Sequence, residues 1–239
     1  SVDNPSGTTI TSGSTQYAVN LDSGGPYTVI NAGTISTERH SFNLSAIEVN
    51  DVVVTTLTNT GEMSAEREIG GYGAGISGIN IEGNGAYNAS IGTLTNAEGG
   101  TISGTNAETN RAYGIQLYGF YSNASITTLT NSGTISGTAK TSEGNGIYLI
   151  SSYAEASITT LTNAEGGTIS GTAETTEGIG IYLYGYYTDT SITTLTNSGT
   201  ISGTAATSEG YGIYLNAYYE DASITTLTNS GTISGTAAT

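Results

Sequence analysis

Few side chains in this sequence could do chemistry: one histidine, twenty Asp and Glu, and no cysteine. The histidine, His40, sits in the irregular segment Glu38–Phe42. Acid–base catalysis needs such a group held against convergent partners in a groove. No thiol nucleophile and no Gly-x-Ser-x-Gly elbow is available to it. Polysaccharide cleavage on an elongated β fold would need clustered, non-repeating carboxylates, often beside basic residues. Here the acids mostly follow a repeat, as in Ser/Thr-Glu-Gly at Glu143, Glu177 and Glu209. Stacked carboxylates repel, so these three are expected to splay into solvent. Nothing matches an EF-hand loop or a Gly/Asp-rich calcium nonapeptide. The sequence therefore predicts no enzyme, no cofactor and no metal, and a solvated His40.

The tyrosines fall into two series instead. Tyr148, Tyr182 and Tyr214 each follow an isoleucine of the repeat, with Gln116 in the preceding copy. Tyr121, Tyr153, Tyr187 and Tyr219 recur a few residues later, with Tyr118 and Tyr184 between the series. Alternation places the first series outward, and both series are predicted to form a contact face. Tyrosine suits that role, with apolar area and a polar tip at low entropic cost. A second outward set, Thr128/Thr130 and Thr134/Ser136, makes Thr arrays that resemble those of ice-binding proteins. The insertions, the tyrosines and the acidity point away from that function.

These side chains are positioned by a repeat. Ser125–Ala156 recurs from Ser157, Ser191 and, in part, Ser223, with a degenerate copy at Ser90 and weaker ones around Leu57 and Ile30. One asparagine marks the phase: Asn31, Asn59, Asn96, Asn131, Asn163, Asn197 and Asn229. Asn-Ala-Glu-Gly-Gly at Asn163 replaces Asn-Ser-Gly at Asn131, so length changes fall at a turn. Periods of this size mean stacked units that do not fold singly. Leu129, Asn131, Gly133 and Ile135 alternate with Thr130, Ser132, Thr134 and Ser136, which marks half-buried strands. Recurrent glycine and the lack of a 3.6-residue stripe argue against helix.

Three strands per copy are predicted, Ile126–Thr130, Thr134–Gly137 and Gly146–Ile150. They build an all-β parallel β-helix of about six to seven coils of roughly 32–37 residues, spaced by about 4.8 Å. Ile126, Leu129, Ile135, Ile147 and Leu149 are its predicted interior. Asn96, Asn131, Asn163, Asn197 and Asn229 should stack as a turn ladder, in the left-handed conformation a bend needs. Gly137, Gly171, Gly203 and Gly235 should supply positive φ at a second bend. Residues 1–52 read as irregular first coils and 53–239 as regular repeats of one domain. The last copy stops in mid-repeat, from which a longer array is expected.

The formal net charge is −16, with only four Lys and Arg, so nucleic acid is excluded as a partner. No apolar run approaches the ~20 residues of a membrane span. Lack of cysteine suits a chain that must cross a periplasm unfolded.

Leu-Thr-Asn-Ser-Gly-Thr-Ile-Ser-Gly, at Leu129–Gly137, Leu195–Gly203 and Leu227–Gly235, resembles repeats of autotransporter passenger domains. The opening Gly13–Ser36, with Tyr17-Ala-Val-Asn-Leu-Asp-Ser-Gly-Gly, resembles the start of such a passenger. The resemblance implies a right-handed β-helix exported to the surface of a Gram-negative bacterium, usually as an adhesin. The expected partners are a second copy of the rod or a protein or glycan of a host or neighbouring cell. The alternative is a structural protein whose rods assemble into filaments or a surface layer.

Overall fold

The computed structural model describes residues 1–11, 17–22, 24–38, 44–67, 75–107 and 110–237. His40 and Arg39, and the Gly13 that opens the passenger-like segment, lie outside them. The strands fall into three sheets of eight, eight and seven strands, every pairing parallel. Each coil contributes one strand to each sheet, as in Ala124–Asn131, Thr134–Ala139 and Gly144–Ser151. The three strands predicted per copy are present and extend beyond the expected ends. The early coils join the same sheets through shorter strands, such as Val2–Asn4 and Tyr27–Asn31.

Register is strict. Leu94, Leu129, Leu161, Leu195 and Leu227 stand opposite one another, and so do Ile102, Ile135, Ile169, Ile201 and Ile233. The predicted interior residues Ile126, Leu129, Ile135, Ile147 and Leu149 are all fully buried. Alternation breaks once in the first sheet: Thr127 has no register partner, and Ile126 and Leu129, three apart, both point inward. The same break recurs in the neighbouring regular coils, so these strands stay in register, and the register shifts instead between Tyr27 and Thr28.

The asparagine ladder exists and begins earlier than the sequence suggested, at Asn4. Each Nδ2 donates to the Oδ1 of the next coil: Asn4 to Asn31 at 2.7 Å, then 2.8 Å at every step from Asn31 to Asn229. The same nitrogens donate to a backbone carbonyl of the following coil, as Asn163 does to Thr200 at 3.1 Å. From Asn31 to Asn197 the side chains are fully buried. The steps span 27 to 37 residues, so unequal loops converge on one geometry.

The conformational reason given for these residues is corrected. Asp51 is the one non-glycine residue with positive φ among the described residues, so the ladder asparagines are not left-handed. They are required for their amides. Gly137, Gly171, Gly203 and Gly235 likewise lack positive φ and lie inside strands rather than at a bend. A Cβ at Gly137 would overlap the carbonyl oxygens of Asn145 and Ala112, so backbone proximity excludes any side chain. Positive φ occurs where the turn is longer, at Gly99 (78°) and Gly166 (80°) in the Ala-Glu-Gly-Gly insertions.

Replacing one rung tests the ladder. Asn163→Leu removes the side-chain acceptor of the Asn131 amide, which keeps only backbone carbonyls, and leaves the Asn197 Oδ1 without its donor, in a buried row. It should cost about 2–4 kcal/mol, read as a lower urea midpoint. An unchanged midpoint would mean the amides are not structural.

Candidate functional site

The coil spacing acts directly on the tyrosines. Outward side chains at equal phase in successive coils lie about 4.8 Å apart, close enough for ring stacking. In the third sheet, Tyr148 and Tyr182 have ring centroids 5.1 Å apart, as do Tyr182 and Tyr214. Tyr113 stacks on Tyr148 at 5.0 Å and Tyr211 on Tyr214 at 4.8 Å. Ile150, Ile179 and Tyr184 pack into the same cluster, which is separate from the coil interior.

Alternation does turn Tyr148, Tyr182 and Tyr214 away from the coil interior, but they do not form an open face. Tyr148 is 3% exposed and Tyr182 8%, while Tyr214 is half-buried. The expectation that this series is a contact surface is therefore corrected. Rings in register cover one another's faces, and neighbours two or three residues away along the strands cover their flanks. The series is a second, external core. Burial, the largest cause, pushes the Tyr148 hydroxyl well above its ordinary pKa and also raises Tyr113 and Tyr182.

The other series is open. Tyr121, Tyr153, Tyr187 and Tyr219 are 65%, 59%, 41% and 60% exposed. They sit in the turns that lead from the third sheet back to the first. Those turns are themselves hydrogen-bonded coil to coil: Tyr153 N donates to Phe120 O, Tyr187 N to Ser152 O and Tyr219 N to Tyr186 O. Ring centroids are 6.2, 5.3 and 4.9 Å apart down the row, with interplanar angles of 9°, 19° and 9°. Phe120, Tyr186 and Tyr218 brace the row from the side, with centroids 4.1 to 4.5 Å from their neighbours. Exposed acids follow the same turns: Glu155, Asp189, Glu220 and Asp221. The sequence put both series at one rank. What separates them is place: the inner row lies on a sheet among Tyr113, Ile179 and Tyr211 and is covered by them, whereas the outer row projects from turns and stays open although Phe120, Tyr186 and Tyr218 brace it.

The repeated glutamates behave differently from one another. Glu143 does not splay: its carboxylate is 3.0 Å from Arg111 Nε and accepts from Arg111 Nη2 at 3.2 Å. Burial raises its pKa, and Arg111 opposes that. Glu177 is half-buried, and Glu209 is exposed and accepts from the Tyr211 hydroxyl. The outward Thr128, Thr130, Thr134 and Ser136 are all half-buried. Among the described residues no group of three or more His, Asp or Glu side chains is placed to hold a metal ion, and no helix is long and apolar enough to cross a membrane.

No protein-family model, no curated protein and no solved structure matches this chain.

The two rows should separate in a stability experiment. Tyr148→Ser empties a buried, stacked position and should cost about 3 kcal/mol or more. Tyr153→Ser, at an exposed position, should cost about 1 kcal/mol or less. Alkali should act through the inner row. A buried phenol with a raised folded pKa contributes fully to stability below its unfolded value of 10.0 and loses that contribution as pH climbs toward the folded value. The thermal midpoint should therefore fall above about pH 10, and less steeply in Tyr148→Phe. Equal losses for the two serine variants would contradict the division into inner and outer rows.

Proposed function

We propose that this chain is a non-enzymatic adhesive rod, a passenger of the autotransporter kind displayed on a Gram-negative cell, and that it binds a second copy of itself on a neighbouring cell. The observation that carries the reading is the outer row Tyr121, Tyr153, Tyr187 and Tyr219, which is exposed, evenly spaced and rigidly backed. The stacked-coil fold and the Leu-Thr-Asn-Ser-Gly-Thr-Ile-Ser-Gly repeats support the passenger assignment.

Ring geometry favours a protein partner over a sugar. Tyr153 and Tyr187 each have a ring stacked above and below, and Tyr121 and Tyr219 each stack on one. What remains for a partner is a strip of ring edges and hydroxyls. A sugar that stacks flat on an aromatic face finds none free at Tyr153 and Tyr187, whereas a second protein surface can lie against the edges of the whole row. Each contact is weak, but the next one forms at the effective concentration set by the first, so avidity grows with the number of coils. The charge of −16, with acids in the same turns, opposes approach of two rods. Salt shortens the reach of that repulsion to about 10 Å at 0.1 M. Association is therefore stronger at moderate salt than at low salt.

The test is a Tyr121/Tyr153/Tyr187/Tyr219→Ser variant, which leaves the inner row in place. Sedimentation velocity across a salt series, with aggregation of cells displaying the chain, should show association by wild type that rises with salt and is lost in the variant. A folded variant that associates like wild type would refute the reading.

A further inference from the structure

The outward row that carries Tyr148, Tyr182 and Tyr214 in the later coils has a different composition in the early ones. Running toward the N-terminus in register, the same slot holds Gln116, Asn80, Glu48 and Asn20. Two residues along the strands, the neighbouring slot holds Tyr118, Glu82 and Asn50. Glu48, Asn50, Asn80 and Glu82 thus occupy the corners of one small quadrilateral on two adjacent strands. All four are oxygen-bearing, and two are carboxylates.

This group is not satisfied as it stands. Glu48 is 2% exposed, yet its Oε2 has no hydrogen-bond partner, and neither do the buried Oδ1 atoms of Asn50 and Asn80. Unpaired buried oxygens in one patch are rare and costly. One amide nitrogen serves both acids: Asn80 Nδ2 lies 2.9 Å from Glu48 Oε1 and 3.5 Å from Glu82 Oε2. A donor placed between two carboxylates marks where positive charge is favoured. Half a turn of the Asn80 amide, whose two ends have nearly the same shape, puts an oxygen there instead. The described charges acting on Glu48 and Glu82 are other acids, with no Lys or Arg among them.

We propose that Glu48, Asn50, Asn80 and Glu82 bind one divalent cation, and that Ca2+ is the ion they fit. Two carboxylates with amide oxygens, on strands that allow irregular geometry, match the mixed oxygen shell of Ca2+. Mg2+ needs a near-ideal octahedron and keeps its water. The cation supplies the positive charge that the patch lacks and takes up the unpaired oxygens.

The field at the site agrees with this: burial, then the charge of Glu82, raises the Glu48 carboxyl, and Asp51 adds to the negative field on Glu82.

The experiment titrates CaCl2 into the full chain, stripped by chelator, at pH 9, following binding heat and thermal midpoint. Wild type should bind one Ca2+, and its thermal midpoint should rise with it. Glu82→Gln and Glu48→Gln, which keep side-chain shape, should each weaken binding by about tenfold or more. Glu82 is half-buried, so its variant keeps the test open if the Glu48 variant folds poorly. No binding by wild type at pH 9 up to about 10 mM CaCl2 would overturn the proposal, leaving Glu48 as a structural carboxyl. So would an equal response in the double variant, or an equal response to MgCl2.

Discussion

The constraint on which the rest of this structure depends is that unequal coils must stack in register. Parallel strands displaced by one residue would turn every inward aliphatic outward. The buried asparagine row prevents this, because each amide finds its acceptor only when the next coil is in phase. A row of aligned amides also polarises along its length, so each bond strengthens the next. Steps of 27 residues and of 37 give the same separation between amides to within 0.1 Å. The variation in length is therefore confined to turns such as the Ala-Glu-Gly-Gly insertions, where glycine supplies the backbone conformation.

Once register is fixed, the surface follows. Any outward position becomes a row of side chains about 4.8 Å apart, and its character depends on which residues recur there. In the third sheet one such row changes from amides and an acid in the early coils to tyrosines in the later ones. The aromatic end closes on itself as an external core. The polar end is left with unpaired oxygens around Glu48. A third row, in the turns, is braced by Phe120, Tyr186 and Tyr218, and its rings remain open to solvent.

Much of this was legible in the sequence. The period, the three strands per coil, the aliphatic interior and the asparagine row all follow from alternation and recurrence. Asn4 was not, because Pro5-Ser6-Gly7 follows it, where the other ladder asparagines are followed by a small residue and Gly or by Ala-Glu-Gly-Gly. The reasons for Gly137 and its equivalents were also misread: proximity of two carbonyl oxygens is a property of packed coils and leaves no local signature. The two tyrosine rows looked alike for a related reason. Alternation tells inward from outward, but exposure depends on neighbours in adjacent coils, such as Ile179 beside Tyr148 and Tyr182. The Glu48 patch combines residues 48 to 82, in coils too divergent for the repeat to align by eye.

The central claim is that the outer tyrosine row is the contact face and the inner row is core. Fluorine NMR of the chain carrying fluorotyrosine, across a concentration series at moderate salt, tests it most directly. The account predicts that the resonances of Tyr121, Tyr153, Tyr187 and Tyr219 shift or broaden with concentration, while those of Tyr148 and Tyr182 stay fixed. Concentration-dependent changes at Tyr148 and Tyr182, with the outer row unmoved, would contradict it.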